Sequence, residues 1–319
     1  MFQASRSTLL SLARSRTPSS SISFTRRTFA STDSSVAFKP FPIQEQRLSN
    51  PGLVVFDKDG TLIDFQMMWG SWTEQFAWRL EMASKQPLRE ALFDALGYDY
   101  MRRRVHSGGA LCCTPMRNLR TLGEKVLMNS SLKLSQKEAE DMVTSIWQMP
   151  DPVSTARPLA DLPNLFHTLR SMNMKIAVCT TDDHEAAENT LKALQVEHLV
   201  DVVVGGDDPI PSKPSPEQLY YICYKCGVAP YDTIMVGDTS TDMKLGQAAG
   251  AGLSVGVLDG ASSIPDLAQY ADVLIPSVAK LPKIAFQWSL RARTVGQEAK
   301  GFSSAEWEER KQVQQQQAA

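Results

Sequence analysis

The chain has 319 residues, 33 Lys+Arg against 35 Asp+Glu, and 43% hydrophobic residues. This is an ordinary globular composition, and it excludes a wholly disordered, collagenous or coiled-coil protein. A formal charge of −2 gives no electrostatic case for a nucleic-acid partner. No apolar run reaches the roughly 18 residues that a membrane-spanning helix needs. Five cysteines are too few for a disulfide framework and fit a reducing compartment.

The average conceals an asymmetry. Before Asp33 the chain has no Asp or Glu, but it carries Arg6, Arg14, Arg16, Arg26 and Arg27 among many serines. An Arg-rich, Ser-rich, acid-free leader is the composition of a transit peptide. We read residues 1–29 as a mitochondrial transit peptide directing the protein to the matrix, with cleavage after Phe29. Without those five arginines, 28 basic residues face 35 acidic ones, so the mature chain carries about −7. A body that acidic must build a local positive field to hold an anionic substrate.

Residues 30–50 read as a linker with Pro40 and Pro42. Leu53-Val54-Val55-Phe56 is apolar at every position, which predicts a buried parallel strand running into Asp57. Residues 65–150 show helical spacing, as in Trp72/Phe76/Leu80 and Leu88/Leu92/Leu96, and predict about four helices with no strand. From residue 151 strands and helices alternate. Strands are predicted over 174–179, 200–204, 233–236, 253–257 and 271–275, and helices over 162–172, 184–194, 215–226 and 241–249. This alternation predicts an α/β fold, a doubly wound parallel sheet built from 51–64 and 151–285, with the helical block 65–150 inserted after the first strand. Residues 286–319, with Gln314 to Gln317, read as a partly disordered polar tail.

Active groups in such sheets gather at the carboxyl ends of the strands. The first strand ends in Asp57-Lys58-Asp59-Gly60-Thr61, a later one in Thr180-Thr181-Asp182-Asp183, and another in Gly237-Asp238-Thr239-Ser240-Thr241-Asp242. Lys213 lies in a loop between the last two. Carboxylates converging in a crevice repel unless a hard cation neutralises them, and oxygen ligands of this kind suit Mg²⁺. Thr180 and Lys213 supply the donors that a phosphoryl group needs. Taken singly, each residue has a plainer reading: a strand-end Asp caps helices or turns, and a loop Lys is solvated. Four such signals in this order point to phosphoryl transfer through an aspartyl-phosphate.

These residues resemble the haloacid dehalogenase-like hydrolase superfamily. The resemblance rests on Asp57 to Thr61, Thr180, Lys213, and Gly237 to Asp242. The family's second motif often continues Thr-Asn where this chain has Thr180-Thr181. The ion-pumping branch of the superfamily has Thr where this chain has Asp59. The resemblance implies that Asp57 is the nucleophile and Asp59 the acid/base. It implies that Asp57, the Asp59 carbonyl, Asp238 and Asp242 serve Mg²⁺, and that Thr180 and Lys213 hold phosphate. The insert resembles the helical cap of the phosphoglycolate-phosphatase-like branch, which implies a small phosphorylated metabolite as substrate. A phosphomutase, or a catalytically idle interaction protein on the same fold, are the alternatives.

Within the cap, Arg102, Arg103 and Arg104 are candidates for a second anionic group of the substrate, against the plainer reading of a solvated basic helix end. Trp69, Trp72 and Trp78 read as cap core. Cys223 and Cys226 form a Cys-x-x-Cys on a predicted helix, with Cys112-Cys113 as the other pair, a poor set for tetrahedral zinc. The oligomeric state is not legible in the sequence.

Overall fold

The computed structural model describes the backbone of residues 52–300 and the side chains of residues 52–290. The transit peptide, the linker and the last nineteen residues lie outside the described residues. Six parallel strands form the main sheet in the order β5-β4-β1-β6-β7-β8. They are β1 (Gly52–Phe56), β4 (Met174–Cys179), β5 (Val202–Val204), β6 (Thr233–Gly237), β7 (Leu253–Val257) and β8 (Val273–Ile275). The first strand is central: Val54 lies beside Ile176 of β4 on one side and Ile234 of β6 on the other.

Helices cover both faces, which is why β1 is apolar at successive positions. Val54 and Phe56 face α7 (Leu162–Ser171) and α12 (Leu281–Lys300), while Leu53 and Val55 face α9 (Glu217–Cys226) and α10 (Ser240–Ala249). Phe56 packs on Phe166 with ring centroids 5.4 Å apart. α7 starts where Asp161 accepts a hydrogen bond from the Asn164 N–H, and α8 (His184–Ala193) follows β4. Cys223 and Cys226 are buried in the α9 layer, away from Cys112 in the cap cluster, so the four thiols share no zinc site.

Between β1 and β4 the chain leaves the sheet to build the cap. A π-type turn (Gln66–Gly70) leads into α1 (Ser71–Ser84) and α2 (Arg89–Leu96). A short antiparallel pair follows, β2 (Tyr98–Asp99) with β3 (Arg104–Val105). Then come α3 (Ala110–Cys113), α4 (Met116–Met128), α5 (Gln136–Ile146) and α6 (Pro152–Thr155). The last short helix, α11 (Ile264–Leu267), belongs to the sheet half. Ser135 and Glu138 close a capping box at the start of α5.

The cap has its own core, in which Trp72 stacks on Phe76 at 5.2 Å and Trp147 meets both rings edge-on at 5.1 Å. Gly123 of α4 leaves just enough room for the Phe76 ring.

Three local expectations change. The cap contains the β2–β3 pair where no strand is predicted, because two-residue strands are too short to show alternation. Trp78 is not cap core but 56% exposed, since it lies off the Trp72/Phe76/Leu80 stripe of α1. α12 continues to Lys300 where a tail is predicted from 286, because Leu281, Ala285 and, less deeply, Trp288 pack on the sheet at helical spacing.

Phe76→Ala should remove the centre of the cap core and cost about 3–5 kcal/mol of stability. Urea unfolding followed by circular dichroism measures it, and a loss under about 1 kcal/mol would show that the cap does not pack around this ring.

Candidate active site

The carboxyl ends of β1, β4 and β6 meet in one cleft. Asp57 is anchored as its N–H donates to the Val236 carbonyl at 2.8 Å. The chain then turns sharply, with the Leu62 N–H donating to the Lys58 carbonyl at 2.9 Å and the Gly60 N–H to the Ile63 carbonyl at 2.8 Å. Gly60 has φ +86°, and a Cβ there would run into the Asp238 carboxylate. Glycine is therefore required at this position for both backbone conformation and space.

Asp57, Asp238 and Asp242 each offer a carboxylate oxygen within 4.8 Å of one another, all buried. Lys213 reaches into this group from the loop after β5. Its ammonium donates to Asp57 Oδ1 at 2.7 Å and to Asp242 Oδ1 at 2.6 Å. Burial works against the lysine's charge, but Asp242 and Asp57 outweigh that and keep it protonated well above its ordinary range. The Asp57 carboxyl is pushed up to about 7, by burial first, with Asp242 and Asp59 adding to the rise and Lys213 opposing it. Asp238 is likewise raised by burial and by Asp57, although its oxygens accept from Thr61 Oγ1 at 3.2 Å and from the Ala261 N–H at 2.7 Å. These groups resist carrying their charges together. A hard dication among their oxygens would relieve that, so the donor set fits Mg²⁺.

Asp242 differs from a simple metal ligand. One oxygen holds Lys213, and the other closes the capping box of α10 by accepting from the Thr239 N–H at 3.0 Å and Thr239 Oγ1 at 2.5 Å. Thr180 directly follows β4. It is buried, its hydroxyl accepts from the Asp182 N–H at 3.1 Å, and the cleft is lined instead by Thr181 and Asp182.

Sequence reasoning missed a second charge cluster beside the first. Lys58 is fully buried and pairs with Asp59 at 3.0 Å and Asp182 at 2.9 Å. Asp59 Oδ1 also accepts from the Trp69 indole N–H at 2.7 Å. Trp69 therefore reaches from the cap to the proposed acid/base, in addition to packing in the cap. The position of Lys58 between two aspartates was a visible signal. Nothing in the helical pattern distinguished Trp69 from Trp72, which lies on the same stripe and packs in the cap.

The arginine trio lies elsewhere. Arg102 pairs with Asp99 at 2.8 Å and Arg103 with Glu74 at 3.1 Å; Arg104 is exposed in β3, and none of the three lines the cleft. They sit on or beside the β2–β3 pair, on the solvent side of the cap. Arg117 of α4 instead meets the core, donating to the Gly206 carbonyl at 2.7 Å. Among the described residues no helix is long and apolar enough to cross a membrane.

Residues 51–250 match the haloacid dehalogenase-like hydrolase family, and the chain belongs to that family. Its relatives place it in the phosphoglycolate-phosphatase-like branch, and it is a phosphoric monoester hydrolase. The phosphoglycolate phosphatase of Aquifex aeolicus is 27% identical over 217 residues, covering 67% of this chain and 90% of that protein. That of Haemophilus influenzae is 35% identical over 91 residues, a stretch spanning 41% of its length and 28% of this chain. Among solved structures, a predicted phosphoglycolate phosphatase of Haemophilus somnus superimposes with a TM-score of 0.55 at 20% identity. It covers 74% of this chain and 99% of that one. A HAD phosphatase of Thermococcus onnurineus gives 0.52 at 21% identity, covering 73% and 97%. These likenesses carry the fold.

The raised Asp57 carboxyl gives a pH signature. A carboxyl held above its ordinary 3.8 adds stability below about pH 4, and that contribution is lost as pH rises through about 7. A Mg²⁺ ion held by these carboxylates would compete with that proton. Its addition should therefore raise the melting temperature more at pH 8 than at pH 5.5, measured by scanning fluorimetry. An equal shift at both values, or none at either, would contradict the cluster as a cation site.

Proposed function

We propose that the protein is a Mg²⁺-dependent phosphatase that hydrolyses a small phosphorylated metabolite through an aspartyl-phosphate on Asp57. The observation that carries this reading is the placement of Asp57 and Asp59 on one cleft, with Lys213 bound to the first and Trp69 and Lys58 bound to the second.

Asp57 attacks phosphorus, and the bond to the leaving oxygen breaks. Asp59 gives its proton to that oxygen, so the product leaves as a neutral alcohol. Asp59 then takes a proton from water. The water oxygen attacks the acyl-phosphate, which restores the Asp57 carboxylate and releases inorganic phosphate. Lys213 holds Asp57 Oδ1 and places its positive charge where the phosphoryl oxygens would lie. Asp242 and the first turn of α10 keep that ammonium in place. Asp57, the Asp59 carbonyl and Asp238 would hold Mg²⁺, which supplies charge neutralisation when bound. The insert covers the cleft with apolar side chains, which would exclude bulk water while the acyl-phosphate exists.

Asp57→Asn should lower phosphate release from p-nitrophenyl phosphate by roughly 10³-fold or more while the fold is retained. Radiolabelled phosphate should remain on the wild-type chain after acid quench and be absent from the variant. Release at the wild-type rate would overturn the mechanism. Isomerisation of a sugar phosphate without net phosphate release would identify a mutase instead.

The reading includes the mitochondrial matrix, on the composition of residues 1–29. Those residues fused to a fluorescent protein should carry it into mitochondria, and a diffuse signal would count against the address.

A further inference from the structure

The cleft has two chemically opposite walls. The core wall carries carboxylates, hydroxyls and Lys213. The cap wall is Phe65, Trp69, Leu111, Cys112 and Met116. All five are buried, between 2% and 7% exposed.

Trp69 spends its indole N–H on Asp59. Cys112 directs its thiol at backbone carbonyls, 3.3 Å from Gly109 and 3.6 Å from His106. That thiol is kept neutral, by its hydrogen bond with Cys113 first and by burial second. The group next to the transferring phosphoryl therefore meets carbon and sulfur, with Met116 as a deformable surface.

The cations near the cleft already have partners on the protein. Lys213 is shared between Asp57 and Asp242, and Lys58 between Asp59 and Asp182. Arg117 donates to Gly206, and Arg120 lies over the Trp147 ring at 4.9 Å. Asp57, Asp59, Asp182, Asp238 and Asp242 set five carboxylates against these two ammoniums, so the protein's own balance at full ionisation is −3, and a dication leaves −1. A second anionic group on the ester would meet this net negative field with neither ammonium left unpaired to receive it. A carboxylate pressed on the cap wall would lose its hydration without gaining a partner.

From these two walls we infer that the substrate is a phosphate monoester whose non-phosphate part is small, uncharged and at least partly apolar, and that Leu111 and Met116 select it. This rests on the phosphatase reading above. It departs from the carboxylated ester named in the relatives' descriptions, since the wall, and not the catalytic carboxylates, decides which alcohol is accommodated.

The test compares esters of similar size and similar leaving alcohol. With the full chain and Mg²⁺, kcat/KM for 2-hydroxyethyl phosphate and for propyl phosphate should each exceed that for phosphoglycolate by on the order of tenfold or more. Met116→Arg puts a guanidinium on the wall and should shift the ratio toward phosphoglycolate by roughly tenfold or more. Because the readout is a ratio, a general loss of activity cancels. Leu111→Lys is the second variant should the first not fold.

Preference of the wild-type enzyme for phosphoglycolate or 3-phosphoglycerate would overturn the inference. So would a ratio unmoved by both variants, or a selective loss on the carboxylated ester in Arg117→Ala. Hydrolysis of p-nitrophenyl phosphate that is lost in Asp57→Asn keeps the phosphatase reading standing when the inference alone fails. Hydrolysis of no ester at all sinks both.

Discussion

Two buried ammoniums make this site possible. Five aspartates collect at the carboxyl edge of one sheet, in a space nearly closed to water, where mutual repulsion and desolvation both oppose ionisation. Lys213 and Lys58 each lie between two of the aspartates at 2.6–3.0 Å. Removing one partner of such a buried pair is costly, because it leaves the other charge uncompensated. The strands bring the carboxylates together, and the lysines let them stay. The remaining deficit, seen in the raised carboxyls of Asp57 and Asp238, is what gives the cluster its appetite for a dication.

The surrounding backbone serves the same crowding. Gly60 makes a turn that a side chain would block, and the Asp238 carboxylate occupies the space that the missing Cβ leaves. Thr61 and the Ala261 N–H then fix that carboxylate from two sides. Asp242 links helix capping to Lys213, so the first turn of α10 and the phosphate-side cation are ordered by one residue.

Much of this was legible in the sequence, and for a physical reason. A strand buried on both faces must be apolar throughout, so β1, β4 and β6 announced themselves. The polar residues that ended them marked the cleft, as with Asp57 and Asp238. What escaped was whatever depends on a side chain's direction. Thr180 and Thr181 are adjacent and chemically alike, yet Thr181 lines the cleft while Thr180 turns its oxygen to a neighbouring N–H. Arg102 to Arg104 looked like an anion site by charge alone, and the structure gives Arg102 and Arg103 acidic partners outside the cleft. Trp69 and Trp72 are equally good helix-stripe residues on paper, and tertiary contacts alone separate the donor to Asp59 from the ring that stacks on Phe76.

The Trp69–Asp59 contact joins the two halves of the protein at the atom that would hand over the proton. Trp69 lies in the first turn of the cap, and Asp59 on the loop leaving the central strand. A displacement of this turn away from the core would break the 2.7 Å bond. The carboxyl then loses its neutral donor and is left with Lys58 alone among the groups described as holding it. The orientation of the acid is therefore tied to the position of the cap's first turn.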